Sequence, residues 1–250
     1  MMYDPIIIGW DGLKLPSFSR QISVSMDVFD FRDKTPIKIF WQLEPPEVIP
    51  QVAEQIIAHQ GFYDLILAWD SRVLKNCKNA RLFPYGGVWT KSEDTTQKKF
   101  AVSMITSSKN IYPGHAFRLD VFNKLPDTVV KHQSPPFLPS KLGLLEPFQY
   151  TIAIENARRL NYFTEKINDA VATKTIPIYW GAPNIGDFYN RDGILAFETI
   201  DELHVILRTL TPDFYESRKE AIEENYRRSL PLEYRTQTLV DTINRYLETR

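Results

Sequence analysis

Cysteine is almost missing from this chain: Cys77 is the only one in 250 residues, which excludes an intrachain disulfide and fits a reducing compartment. No run approaches the roughly 20 apolar residues that a membrane-spanning helix needs. The opening MMYDPIIIGWDG has a three-isoleucine run with no basic segment before it, too short for a signal peptide. A soluble, cytoplasmic protein is the expectation. Charge of either sign is not in excess. The 30 Lys and Arg meet 31 Asp and Glu for a net charge of −1, which argues against a general nucleic-acid binder but leaves room for a local basic pocket. The GG at 86–87 is a turn rather than a G-x-G-x-x-G fingerprint, and neither a P-loop nor a G-x-S-x-G elbow occurs. His59, His115, His132 and His204 lack metal-ligand spacing, and there is no D-x-D pair of the kind that holds a catalytic metal. No metal or cofactor is required by these residues.

What is present is an apolar supply large enough for a core, 43% hydrophobic and 13% aromatic. Strand-like and helix-like runs alternate. PIIIGW, TPIKIFWQL, YDLILAW and ARLFPY read as strands, with helices at PQVAEQIIAHQ and SRVLKNCKN. After the polar stretch TKSEDTTQKK the pattern restarts with strand FAVSMITS, helix HAFRLDVFNKL and strand DTVVKH. A proline-rich loop, SPPFLPSKLG, leads to strand FQYTIAI, helix YFTEKINDAVA, strands TIPIYW and GILAF, and further helices. Strands spaced by helices of this length call for parallel sheets covered on both faces. The reading is an α/β chain of two doubly wound domains facing a central cleft, residues 1–96 and 97–230. The closing helix within 231–250 presents Leu239, Ile243, Tyr246 and Leu247 on one face, able to pack back on the first domain.

Residues 151–170, TIAIENARRLNYFTEKINDA, begin as a sheet-core strand and end as an amphipathic helix. Ligands of open parallel sheets bind outside the carboxyl ends of the strands, and Glu155 and Asn156 sit at such an end. A helix beginning near Asn161 is predicted, with free amides and a positive dipole end that favour an anion. At about 100° per residue, Phe163, Ile167, Ala170 and Val171 share the core face, and Tyr162, Glu165, Lys166 and Asp169 an adjoining one. Taken alone, such a Glu-Lys-Asp face is that of a solvated helix. Its placement suits a diphosphate, which gains from both lysine and dipole; a carboxylate nearby, an acceptor only, suits ribose or sugar hydroxyls. IFWQLEPPE ends an earlier strand at Glu44, which Pro45 biases toward extended backbone; its carboxylate stands at the ligand edge or in a solvated loop. Arg118 follows FAVSMITSS on a helix whose core face is Phe117, Val121 and Leu125, as a surface arginine or a bidentate phosphate clamp. Trp41, Trp89 and Trp180 lie near strand ends or loops, where aromatics stack on sugars or, more commonly, pack in cores.

YTIAIEN, then YFTEK, then IPIYWGAPNI resemble, over residues 148–188, the donor-binding region of glycosyltransferase family 10, the α-1,3/1,4-fucosyltransferases. That family carries E-N, six residues from Asn to Tyr, T-E-K and P-[VI]-Y-W-G-A-P-N at matching spacing; weaker similarity runs over residues 37–125. The resemblance implies a GT-B-like fold of two Rossmann-like domains and inverting transfer of fucose from GDP-fucose to a hydroxyl of an acceptor glycan. It implies that Glu44 is the general base, although Pro45 stands where the family usually has Ser. On the donor side it implies Arg118 against the departing diphosphate, and Asn156, Tyr162, Glu165 and Lys166, with Glu155 beside them, around the nucleotide sugar. The partners implied are a GDP-sugar and an oligosaccharide, with residues 1–96 as the acceptor side. Ala157 in place of Ser, and ATK at 172–174 in place of Ala-Gly, leave the acceptor open. A GT-B transferase using a different nucleotide sugar and a non-catalytic nucleotide- or glycan-binding protein are the alternatives.

Overall fold

Alternating apolar side chains build the first sheet. In the computed structural model, which describes residues 1–10, 12–84, 86–92, 97–134, 140–233 and 235–249, five strands lie side by side in chain order. They are β1 (Ile6–Ile8), β2 (Ile22–Met26), β3 (Ile37–Trp41), β4 (Leu65–Ala68) and β5 (Ala80–Leu82), all parallel. Successive strand residues point to opposite faces. Ile37, Ile39 and Trp41, with Leu65 and Leu67, therefore enter one core, while Phe40, Ile66 and Ala68 enter the other. Helix α1 (Val52–Ala58) covers the second face with Val52, Ala53 and Ile56, and α2 (Ser71–Asn76) covers it with Val73. Each buried Val, Leu, Ile or Phe among them contributes roughly 1.5–3 kcal/mol on leaving water.

The second sheet comprises β6 (Lys99–Ser107), β7 (Val129–Ser134), β8 (Phe148–Ile154), β9 (Ile176–Trp180) and β10 (Leu195–Ala196), all parallel, in the order β10-β9-β8-β6-β7. Its helices are α3 (Pro113–Lys124), α4 (Leu142–Leu145), α5 (Glu165–Ala172), α6 (Ile200–Thr209), α7 (Pro212–Ser217) and α8 (Lys219–Glu233). Tyr150, Ile152 and Ile154 join Val121 of α3, Leu125 just after it and Leu203 of α6 on one face. Ala153 and Tyr179 meet Ile167 and Val171 of α5 on the other. From β6 the chain goes to β7 on one side and then to β8 on the other, so the strand order reverses between β6 and β8.

The last helix, α9 (Arg235–Glu248), repeats apolar residues every three or four positions. Leu239, Val240, Ile243 and Leu247 are buried in the core of β2, β3 and β4, and the Tyr246 hydroxyl donates to Asp64 O at 3.1 Å. The chain thus divides into two units. The first holds Met1–Tyr85, Leu160–Tyr162 and Tyr234–Arg250; the second holds Gly86–Arg159 and Phe163–Glu233. Residue 96, where the sequence suggested a boundary, lies outside the described residues, as do residues 135–139 of the proline-rich loop. Among the described residues no helix is long and apolar enough to cross a membrane. Two expectations need correction. Strand β2 was not foreseen, and among the described residues no helix separates β1 from β2 or β2 from β3.

Candidate functional site

A reversal of strand order opens a crevice at the carboxyl ends of the strands beside it. In the second unit those ends are β6 and β8, and the expected donor-side residues gather there. Arg118, on the second turn of α3, is buried; its Nε donates to Ile154 O at 3.1 Å and its Nη2 to Asn156 Oδ1 at 2.8 Å. Pro113 opens α3 at a position whose N–H is not needed. Gly114 lets the first turn run against the β8 end, since a Cβ there would stand 2.0 Å from Asn156 O. His115 completes the turn, its Nδ1 accepting the Ile111 N–H at 3.3 Å, so the neutral ring carries its proton on Nε2. Burial, then the charges of Arg118, Lys166 and Lys109, hold His115 down at about 4. The charges of three cations therefore act on a neutral imidazole. Lys109 and His115 were not singled out from the sequence, although a lysine directly after FAVSMITSS stands at a ligand edge.

The helix after β8 starts later than predicted. Asn161 has a φ of +63°, a left-handed break, and α5 begins at Glu165 with Thr164 as its cap. Glu155, wholly buried, accepts the Thr164 N–H at 2.8 Å and the Thr164 hydroxyl at 2.6 Å. The same hydroxyl accepts Lys166 Nζ at 3.0 Å, and Nζ also donates to Glu165 Oε1 at 3.1 Å. Burial raises the Glu155 carboxyl, with Lys166 opposing. For Glu165 burial also works against ionisation, but Lys166 and Lys141 overcome it and hold it at about 2. Glu165 and Lys166 keep partly open side chains, 13% and 21% exposed. Glu155 stands behind them. Tyr162 belongs to the first unit, fully buried with its ring 4.8 Å from that of Trp69. Asp169 is buried too, accepting the amides of Trp89 and Thr90 and the ammonium of Lys141. The face foreseen for Tyr162, Glu165, Lys166 and Asp169 is therefore only half realised as an open surface.

In the first unit, Glu44 follows β3 at the carboxyl edge of its sheet and is half-buried. The N–H of Glu44 donates to Asp27 Oδ2 at 2.7 Å and that of Leu43 to Asp27 Oδ1 at 2.9 Å. Trp69 Nε1 donates to Leu43 O at 3.0 Å. A depression of about 500 Å³ lined by Arg20, Gln21, Asp64 and Tyr246 opens at the opposite, amino-terminal edge, away from Glu44. Trp41 is core, and Trp180 packs on Phe117 with rings 4.7 Å apart; Trp89 is 60% exposed, with Lys141 above its ring. Among the described residues no group of three His, Cys, Asp or Glu side chains could hold a metal ion.

Similarity to known proteins points the same way. An α-(1,3)-fucosyltransferase of Helicobacter pylori is 35% identical over 66 residues, 25% of this chain and 14% of that protein. An α-(1,4)-fucosyltransferase of Arabidopsis thaliana is 22% identical over 197 residues, 71% of this chain and 48% of that protein. A crystal structure of an α1,3-fucosyltransferase with GDP aligns with a TM-score of 0.57 at 16% identity, covering 97% of this chain and 91% of that one. The resemblance to family 10 fucosyltransferases is borne out. The fold is GT-B-like, with a parallel α/β sheet in each unit. No protein-family profile matches the chain. The chain spans less than half the length of the curated relatives it matches.

Proposed function

We propose that this chain is an inverting glycosyltransferase that moves fucose from GDP-fucose to a hydroxyl of an acceptor glycan. The observation that carries the reading is that Arg118 is bonded to Asn156 at the strand-order reversal, and that its charge and those of Lys166 and Lys109 all act on His115, in a chain of net charge −1. Such local concentration of cations fits a diphosphate leaving group. The first amides of α5 add a positive dipole end. Glu165, ionised and partly open, is an acceptor for ribose hydroxyls. Glu155 supports this cradle from behind, through Thr164.

In the reaction Glu44 takes the proton of the acceptor hydroxyl while that oxygen bonds to the anomeric carbon. The bond from that carbon to the diphosphate breaks on the opposite side, and GDP leaves with the electron pair. Bases of this kind contribute roughly 10²- to 10⁴-fold. Preorganised cations act on charge that develops only in the transition state, which is why fixed hydrogen bonds matter. The experiment is calorimetry with GDP, UDP, CMP and their sugars. GDP and GDP-fucose should bind at least tenfold tighter than the others, about 1.4 kcal/mol. A preference for UDP or CMP would overturn the donor, and no nucleotide binding would overturn the cradle.

A further inference from the structure

Asp27 directly follows β2 with a φ of +54°, in the left-handed region that Asp and Asn tolerate better than other side chains. Both of its carboxylate oxygens reach the end of the next strand. Oδ1 accepts the Leu43 N–H at 2.9 Å and Oδ2 the Glu44 N–H at 2.7 Å, while the Asp27 N–H donates to Trp41 O at 3.3 Å. With the Trp69 indole donating to Leu43 O at 3.0 Å, the peptide units that carry Glu44 are pinned from both sides. One of those pins is ionisable. Glu44 is the charged group that acts on Asp27. Farther along the same segment, Asp30 pairs with Arg32, and Asp33 accepts from Ser23 and Thr35.

We propose that Asp27 is a positioning residue for Glu44, fixing its main chain and strengthening it as a base through a like charge held beside it. This rests on the reading of Glu44 as the base. Asn would tolerate the same φ, but its single acceptor oxygen could keep only one of the two amide bonds, and its NH₂ would face the other N–H. A second carboxylate next to an ionised base is unfavourable, and its effect is to favour the form of Glu44 that has taken up a proton. Protonated Asp27 gives no such push. Burial, partly offset by the two amide hydrogen bonds, pushes Asp27 up to about 7. The push therefore switches on as pH rises through neutrality.

The test follows GDP release from GDP-fucose, with N-acetyllactosamine supplied as acceptor, from about pH 5.5 to 9. It compares wild type, D27N, D27G, E44Q and D27N/E44Q, each checked for folding by circular dichroism. Wild-type kcat should rise through an ionisation near pH 7. D27N and D27G, which both keep the backbone twist, should lose that step and run about tenfold slower at pH 8, with GDP affinity within about twofold of wild type. D27N should add nothing to E44Q. A lower rate that keeps the ionisation would make Asp27 a mere turn residue and overturn the proposal. So would wild-type rates in D27N and D27G beside a hundredfold loss in E44Q, with Glu44 then still standing as the base. A near wild-type E44Q would instead remove Glu44 as the base, and this inference with it. If neither Asp27 variant folds, the wild-type profile decides, and one without a step between about pH 6 and 8 overturns the proposal.

Discussion

Replacing Lys166 by methionine keeps most of the side chain and removes the ammonium, and the structure sets the size of two separate losses. Lys166 Nζ lies 3.0 Å from Thr164 Oγ1, 3.1 Å from Glu165 Oε1 and 3.8 Å from Glu155 Oε2. On the ligand side, one charge-assisted contact to a diphosphate is worth roughly 1.5–3 kcal/mol, about 10- to 150-fold in GDP affinity. On the folding side, two carboxylates lose a shared cation. Burial disfavours the Glu165 charge, yet Lys166 and Lys141 bring its pKa from 4.5 to about 2, a lowering worth about 3 kcal/mol. A lowered pKa gives stability that is present above the unfolded value and is lost as pH falls through the folded one. Lys141 remains in the variant, so about 1–3 kcal/mol should be lost at pH 7. Glu155 has the opposite sign: burial has raised it, and without Lys166 it rises further, adding to the deficit at pH 7. Both contributions fade as the carboxyls take up protons. K166M should therefore be less stable than wild type at pH 7, with a smaller gap at about pH 4. Calorimetry with GDP and urea unfolding at the two pH values measure the two losses. GDP affinity within twofold of wild type in a folded variant would remove Lys166 from the cradle. An equal stability gap at both pH values would refute the account of the paired charges.

Three further outcomes follow from the same geometry. E44Q should keep GDP-fucose affinity within about twofold but release GDP roughly 10²-fold more slowly, with the loss in kcat; a rate near wild type would move the base to Glu47 or another carboxylate. Turnover should persist in EDTA, because Arg118, Lys166 and Lys109 supply the charge that a metal would otherwise bring; activity abolished by EDTA and restored by manganese would refute this. G114A puts a methyl 2.0 Å from Asn156 O, so thermal unfolding should show a loss of roughly 1–3 kcal/mol, with weaker GDP binding by calorimetry; unchanged melting and binding would deny the close approach of α3 to the β8 end.

The alternation of strands and helices was legible because it rests on short-range periodicity, which the sheets amplify by burial. IKIFW splits cleanly between two cores, and residues Leu239, Ile243 and Leu247 give α9 its buried face. Strand β2 was missed for a physical reason: all five residues of ISVSM are buried, and Ser23 is satisfied by Asp33 inside the fold. A serine every second residue reads as a solvated face when its partner cannot be seen. The polar face of residues 162–169 failed where the backbone broke the helical period. Asn161 adopts a left-handed φ, so Tyr162 lies before α5 instead of on it, and its ring goes to Trp69. His115 and Lys109 were invisible because their part depends on which strands are neighbours, and the crossing of β7 and β8 about β6 is no property of a local window.

Glu155 shows why the sequence pieces of the motif belong together. A carboxylate with no exposed surface must be satisfied from within, and it can only accept. Thr164 supplies two donors, its N–H to one oxygen and its hydroxyl to the other. Having donated, that hydroxyl has only lone pairs left to offer, and these receive the N–H and the ammonium of Lys166. The direction of the relay is therefore fixed from Lys166 through Thr164 to Glu155. A glutamine at 155 would turn an NH₂ toward one of the Thr164 donors and break it. Room for the relay comes from Gly181, where a Cβ would stand 2.6 Å from Glu155 Cγ and 2.1 Å from Tyr179 Oη. The Glu of YTIAIEN, the Thr and Lys of YFTEK and the Gly of IPIYWGAPNI thus form one object, whose outward face is the Lys166 ammonium.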